Sequence, residues 1–171
     1  MKHLLIVAHT PSPNTKQLAD SVFSGSQNPA ITGVVIVMKT PFETTIEDVL
    51  WANAVVLGTT ENLGYMSGAL KDFFDRTYNE ALGKTDGLPY AVYIRAGMDG
   101  TGTKRSIKSI TTGLRWREVQ SPLMLKGDWR TEFLLEAKTE PVEVNIEKYI
   151  RSEQQKLNYL EVKTPELVSN E

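Results

Sequence analysis

Polar side chains crowd one short segment, His9-Thr10-Pro11-Ser12-Pro13-Asn14-Thr15, which follows a run of apolar residues. The candidate hydrogen-bonding side chains in this segment are those of Thr10, Ser12, Asn14 and Thr15. A helix is predicted to begin here, and the first amides of a helix lack intrahelical partners and carry positive potential. The segment is therefore a candidate phosphate-binding loop, with Lys16 as the nearby cation. The alternative is an ordinary turn and helix cap, in which the same residue types are common.

A second candidate segment follows the apolar run Ala54–Leu57 and reads GTTENLGYMSG, continuing as ALKDFFDRT. Gly64 and Gly68 allow the backbone to lie close to a flat ring or to adopt positive φ. Tyr65 offers a ring face for stacking. The alternative is that the glycines only shape a turn into the following helix.

This second segment resembles the flavodoxin-like superfamily, in particular its NAD(P)H-dependent FMN oxidoreductases and tryptophan-repressor-binding-protein-like quinone reductases. The residues that match the pattern are Gly58, Gly64, Met66, Ser67, Gly68, Leu70, Lys71, Phe73, Phe74, Asp75, Arg76 and Thr77. Thr60 stands where those proteins usually have proline. The resemblance covers about residues 3–137 and implies FMN as cofactor. The contacts that it implies here are Thr60, Glu61, Asn62, Leu63, Gly64 and Tyr65.

A third candidate segment begins at Arg95 and contains three glycines just past a predicted strand. The resemblance implies that this loop covers the other side of the flavin. The contacts expected from it are Arg95, Ala96, Gly97, Asp99 and Gly100. We hypothesise that Arg95 or the loop amides stabilise the N1–C2=O edge of the ring when hydride arrives. The alternative for Arg95 is a surface side chain in a turn.

Alternating strand and helix patterns position these three segments. The predicted strands are Leu4–Ala8, Gly33–Met38, Ala54–Gly58, Tyr90–Ile94 and Val119–Leu125, the last interrupted by Pro122. The predicted helices begin at caps Asn14, Thr44 or Thr45, Ser67 and Asp128, with another over Gly102–Leu114 and Gly25 as the stop of the first. This alternation predicts an α/β fold with a parallel sheet covered by helices on both faces.

The resemblance sharpens that fold class to a flavodoxin-like three-layer sandwich with five parallel strands in the order 2-1-3-4-5. We expect a single domain over residues 1–171, with a core of about residues 1–137. A helical segment over 138–162 and a frayed tail are expected to follow. Ligands of such sheets bind beyond the carboxyl ends of the strands, where all three candidate segments lie.

Composition excludes several kinds of chemistry. There is no cysteine, so disulfides, thiolate metal sites and cysteine nucleophiles are ruled out, and two histidines make a metal site unexpected. The net charge of −2 gives no reason to expect nucleic acid or a membrane surface as partner. No apolar run is long enough to span a bilayer, and we expect a cytoplasmic protein.

The sequence therefore predicts an FMN-binding, NAD(P)H-dependent oxidoreductase that transfers hydride through the flavin to a quinone or similar small electrophile. No protein acid or base is required for that transfer, so no catalytic side chain is assigned. The alternative is a flavodoxin-type electron carrier that needs a partner reductase. Relatives of this kind are often oligomers, and a homodimer is expected.

Overall fold

The computed structural model describes residues 1–139 and residue 141 as strands of one sheet, helices on its two faces, and their connections. The strands are β1 (Lys2–Ala8), β2 (Val34–Lys39), β3 (Ala54–Asn62), β4 (Tyr65–Met66), β5 (Pro89–Ala96), β6 (Arg117–Glu118) and β7 (Leu123–Lys126). The helices are α1 (Pro13–Ser26), α2 (Ile46–Trp51), α3 (Gly68–Ala81), α4 (Thr101–Gly113) and α5 (Glu132–Thr139). The helix predicted over 138–162 lies almost entirely outside the described residues.

The parallel strands have the order β2-β1-β3-β5, and the next position is shared by β6 and β7, which both pair with β5. This confirms the predicted flavodoxin-like order, with β5 as the fourth of the five predicted strands. The fifth strand predicted over Val119–Leu125 with an interruption at Pro122 is instead two short strands, β6 and β7, and the Val119 amide still donates to the Tyr90 carbonyl of β5 at 3.0 Å. Pro122 has no N–H to donate to a neighbouring strand, which favours a break at this point.

Side chains alternate between the two faces of the sheet and form two apolar cores. On β1, Leu5 and Val7 pack with α2, α3 and α4, whereas Leu4 and Ile6 pack with α1 and α5. The first core includes Phe73 and Phe74 of α3, and the second includes Phe133 of α5. This is the arrangement expected of a sheet covered on both faces.

The predicted starts of α2 and α3 agree with the structure. Ser67 caps α3 by accepting from the Leu70 amide at 3.2 Å, and Thr45 is the cap of α2. The cap of α1 is Ser12 and not Asn14, since Pro13 suits the first helical position. The predicted start at Asp128 is also wrong, because α5 begins only at Glu132.

Gly25 does not end α1 as predicted but lies buried inside the helix. A Cβ atom there would lie 1.9 Å from the carbonyl oxygen of Lys138 in α5. Glycine at this position therefore allows α1 and α5 to approach closely, so its role is in packing.

The third strand is longer than predicted and turns back on itself. β3 continues to Asn62, which pairs with Tyr65 of β4 in an antiparallel hairpin. The two turn residues, Leu63 and Gly64, have φ of 53° and 73°. Positive φ at both turn positions is the backbone of a type I′ hairpin, whose twist matches that of its strands. Thr60, Glu61 and Asn62 thus belong to a strand and not to a loop.

Candidate functional site

Three connections meet at one edge of the sheet. Because β1, β3 and β5 are parallel neighbours, their carboxyl ends lie side by side. The first loop (residues 9–12), the hairpin (residues 62–65) and the β5–α4 loop (residues 97–100) follow these ends. All of the site residues predicted from the sequence therefore lie along this edge: Thr10, Ser12, Asn14, Thr15, Thr60, Glu61, Asn62, Leu63, Gly64, Tyr65, Arg95, Ala96, Gly97, Asp99 and Gly100.

The hydroxyls of the first loop are engaged in capping α1. The Ser12 hydroxyl accepts from the Thr15 amide at 3.3 Å, and the Thr15 hydroxyl accepts from the Ser12 amide at 2.9 Å. The Thr15 hydroxyl also donates to the Ser12 carbonyl at 2.8 Å. The Lys16 ammonium is paired with Asp20 at 2.7 Å, which reduces the cation's availability to an anion. Thr10 is half-buried and lines a cleft of about 180 Å³ towards Thr40.

His9 directly follows β1, and its contacts are with the protein's own backbone. Its amide donates to the Gly58 carbonyl at 2.9 Å, and its ring is half-buried. Burial lowers the pKa of His9, so the neutral imidazole is favoured.

The base of the hairpin is fixed by a buried hydroxyl pair that the sequence analysis did not select. The Thr59 hydroxyl donates to the Ser67 hydroxyl at 3.0 Å and accepts from the Ser67 amide at 3.2 Å. Since Ser67 also caps α3, this pair ties the end of β3 to the start of that helix. The sequence indicated only the capping role of Ser67 and not its pairing with Thr59.

Apolar side chains are exposed around the loop tips. Leu63 is fully exposed, Met98 is 80% exposed and Tyr65 is 44% exposed. Leu63 also has the positive φ that is unusual for a residue other than glycine, asparagine or aspartate. Exposed apolar surface and backbone strain concentrate at functional sites more often than elsewhere.

The β5–α4 loop is held by two carboxylates. Glu61 accepts from the amides of Met98 at 3.0 Å and Gly100 at 3.1 Å. Asp99 accepts from the Thr101 amide at 2.8 Å, and this hydrogen bond lowers the pKa of Asp99. Within the described residues, the amides of Gly97 and Asp99 have no acceptor.

Arg95 contacts the backbone on the far side of the same loop. Its guanidinium donates to the carbonyls of Ala96, Leu125 and Gly127, and it lies 5.5 Å from the centre of the Phe133 ring. These contacts tie β5 to β7 and α5. Of the two donors hypothesised for the flavin edge, they favour the loop amides over the guanidinium.

A buried tyrosine hydroxyl lies close to the first loop and hairpin strands. Tyr93 is fully buried, its ring passes over Gly58, and burial raises the pKa of its hydroxyl. Within the described residues, this hydroxyl and that of Thr103 are the buried side-chain polar atoms without a hydrogen-bond partner. Buried hydroxyls are normally paired, so these two groups are buried without the hydrogen bonds that usually offset the cost of burial.

Comparison with known proteins gives the family. Residues 5–129 match the family described as NADPH-dependent FMN reductase. The chain belongs to the NADPH-dependent FMN reductase family. It is thus an FMN-binding flavoprotein of the flavodoxin-like superfamily, as the sequence predicted.

Individual relatives share the same fold. A protein named flavodoxin from Aquifex aeolicus (strain VF5) is 32% identical over 114 residues, which cover 67% of this chain and 60% of that protein. A flavodoxin from the domain Archaea superposes with a TM-score of 0.69 at 18% identity, covering 84% of this chain and 96% of the other. An azoreductase from Bacillus anthracis str. Sterne superposes with a TM-score of 0.67 at 13% identity, covering 84% and 98%.

The chemistry of this edge fits the FMN of the family. The unpaired amides of Gly97 and Asp99 are donors of the type that a flavin's carbonyl and ring nitrogens accept. The start of α1 supplies positive potential for a phosphate. No group of three or more metal-ligating side chains is found within residues 1–139, and no helix there is long and apolar enough to cross a bilayer.

Proposed function

We propose that this protein is an FMN-dependent oxidoreductase that takes hydride from NAD(P)H and passes it to a quinone or similar small electrophile. The observation that carries the proposal is the match of residues 5–129 to a family of NADPH-dependent FMN reductases. The position of the three loops at one sheet edge supports it, because that is where ligands bind in such folds. Bound FMN supplies the redox chemistry, accepting hydride from one substrate and releasing reducing equivalents to the other.

The residues proposed to hold FMN lie in the first loop and in the β5–α4 loop. The positive end of the α1 dipole, with the side chains of Thr10, Ser12, Asn14 and Thr15, would bind the phosphate. The amides of Gly97 and Asp99 would bind the polar edge of the ring. Tyr65 would lie against the ring or against the substrate stacked on it. The protein's contribution is therefore binding and orientation, and no side chain is proposed as a catalytic acid or base.

The acceptor class is proposed from the exposed surface beside the loops. Leu63, Tyr65 and Met98 present apolar and aromatic atoms there. Such a surface favours a flat, largely apolar acceptor over a small hydrophilic one. A homodimer in the cytoplasm is also proposed, and a second subunit would cover part of this exposed surface.

The second candidate is an electron-carrier flavodoxin, and the name of the Aquifex relative favours it. Two features of this chain weigh against it. The net charge is only −2, whereas carriers are expected to present a strongly acidic docking face. The segment 96–103 contains no aromatic residue, although carriers commonly have one in this loop.

Flavin binding is tested by titrating the flavin-stripped protein into FMN and into riboflavin and following the loss of flavin fluorescence. We expect FMN to bind more tightly than riboflavin, because only FMN has the phosphate that the start of α1 would hold. Equal affinity would contradict the assigned phosphate loop. Failure of both flavins to bind would contradict the proposed function.

A further inference from the structure

A single side chain joins two of the three loops. Glu61 lies near the end of β3 and is half-buried. One of its carboxylate oxygens accepts from the Met98 amide at 3.0 Å, and the other accepts from the Gly100 amide at 3.1 Å. The carboxylate therefore spans from the hairpin strand to the β5–α4 loop, and both of its oxygens are used.

Close packing beside this contact leaves the loop little freedom to move independently. A Cβ atom on Gly102 in the first turn of α4 would lie 1.9 Å from the Gly64 carbonyl oxygen at the hairpin tip. Gly100 has a φ of 71°, a conformation that glycine adopts without strain. On the other side, Arg95 holds the Ala96 carbonyl just before the loop. The loop is thus fixed from both sides by contacts to neighbouring strands.

The hydrogen bonds to Glu61 divide the loop amides into two sets. Met98 and Gly100 donate to Glu61, whereas Gly97 and Asp99 have no acceptor in the described part of the chain. Within a short loop, fixing every second amide also restricts the orientation of the peptide groups between them. The amides left unpaired are the two that the proposed function assigns to the flavin.

We propose that Glu61 is a positioning residue of the flavin site. Its carboxylate fixes the amides of Met98 and Gly100, and this holds the amides of Gly97 and Asp99 in place for the polar edge of the ring. The inference rests on the proposed function and adds to it the residue that organises the ring-binding loop in advance of the flavin. Preorganised donors bind more tightly because less ordering is required on binding.

The substitution Glu61→Gln tests this role with little change in shape. A carboxamide has one acceptor oxygen, and its NH₂ group cannot accept from the second amide. Glu80→Gln is the matched control, because it makes the same change of charge and size. Glu80 is an exposed residue of α3. The Thr45 amide is an internal control, because it donates to a different carboxylate, that of Asp48, outside this loop.

The experiment measures amide hydrogen exchange by NMR in the flavin-stripped full-length chain, together with FMN affinity and the visible spectrum of bound FMN. In Glu61→Gln, exchange of the Met98 or Gly100 amide is expected to be roughly tenfold faster, with the Thr45 amide unchanged. FMN binding is expected to weaken roughly tenfold. The spectrum is expected to shift, since it responds to hydrogen bonds at the ring edge and not to fold stability. Glu80→Gln is expected to match wild type throughout.

Different results overturn different claims. Unchanged exchange at both Met98 and Gly100 would show that Glu61 does not hold the loop. Faster exchange with unchanged FMN affinity and spectrum would show that the loop order does not serve flavin binding. Either result overturns the inference. In both cases the proposed function still stands if the wild-type protein binds FMN. A wild-type chain that binds no FMN overturns the proposed function, and the role of Glu61 in it falls as well.

Discussion

Two tyrosines on β5 differ in whether their buried hydroxyls are paired. The Tyr90 hydroxyl accepts from Thr111 at 2.8 Å and donates to Glu118 at 3.1 Å, and burial raises the pKa of Tyr90 to about 12. The Tyr93 hydroxyl has no partner in the described residues. In the flavin-stripped protein we expect Tyr93→Phe to raise the free energy of unfolding by about 1 kcal/mol and Tyr90→Phe to lower it by about 1–2 kcal/mol. Urea unfolding measures both, and a loss of stability in Tyr93→Phe would show that its hydroxyl is paired in solution.

The hydroxyls of Ser12 and Thr15 cap α1 and lie beside the proposed phosphate site. Replacing both with alanine is expected to cost about 1–2 kcal/mol of unfolding free energy through the lost cap. FMN binding is expected to weaken roughly tenfold or more, since neutral hydrogen bonds contribute about 0.5–1.5 kcal/mol each. Riboflavin has no phosphate, so its affinity is expected to stay the same. An equal loss for both flavins would mean that the cap acts through the fold alone, and unchanged FMN affinity would move the phosphate elsewhere.

At the level of single residues, the sequence identified the hydrogen-bonding side chains of the candidate site better than the groups to which they bond. Polar side chains around a predicted helix start identified Ser12 and Thr15 as candidate donors, but Asn14 and not Ser12 was the predicted cap. No local pattern places the Glu61 carboxylate on the amides of Met98 and Gly100, since these residues meet only when β3 and β5 pair. Leu63 could not be recognised as a residue with positive φ, because leucine disfavours that conformation and only the hairpin requires it.

At the scale of elements, the hairpin tip and the start of α4 lie in close contact at Gly64 and Gly102. Gly102→Ala places a methyl group against the Gly64 carbonyl, so we expect the hairpin to be displaced and FMN affinity to fall at least roughly tenfold. Ser109→Ala is the control, because Ser109 is an exposed residue of the same helix and lies outside the three loops. The fluorescence titration compares the two. Equal FMN affinity in both variants would show that the hairpin tip does not shape the site.

The link between β2 and α2 makes a pH-dependent contribution to stability. Burial alone would raise the pKa of Asp48, but hydrogen bonds from the Lys39 ammonium and the Thr45 amide outweigh it and lower the pKa. A lowered folded-state pKa means that Asp48 stabilises the fold above its unfolded pKa, about 3.9. That stabilisation is lost as the pH falls through the folded-state pKa.

We therefore expect Asp48→Asn to cost about 1–2 kcal/mol of unfolding free energy at pH 7, with the difference from wild type shrinking below about pH 4. Asp20→Asn is the control, since its pair with Lys16 is exposed and contributes less than about 0.5 kcal/mol. Urea unfolding at several pH values measures the differences. A deficit in Asp48→Asn that stays constant into acid would rule out the ionised carboxylate as its cause.

Strongly patterned elements were predictable, and context-dependent ones were not. The buried runs of β1 and β5 and the spaced apolar residues of α3 follow from hydrophobic periodicity. The extension of β3 to Asn62 was missed because its residues are polar, with Thr59 and Thr60 pairing with β5 and the last two with β4. Pro122 indicated a break in the fifth strand, but the local sequence did not indicate that a strand on each side of it, β6 and β7, would pair with β5.

For the whole molecule, the strand order confirms the fold expected from alternating elements and the glycine-rich motif. That order places the first loop, the hairpin and the β5–α4 loop side by side, which no single segment could establish. The motif around Gly64 to Thr77 carried the family, and the match over residues 5–129 confirms it. Under the proposed function, the acceptor and the nicotinamide would be selected by surfaces assembled from all three connections, and for that reason the local sequence does not specify them.

The most direct test of the proposed function is an anaerobic titration of the FMN-loaded protein with NADPH and with NADH, followed by its visible spectrum. We predict that the oxidised flavin band bleaches fully after about one equivalent of at least one nicotinamide, because hydride transfer delivers both electrons in one step. A bound flavin that stays oxidised with both nucleotides would contradict the reductase and favour a carrier that depends on a partner reductase.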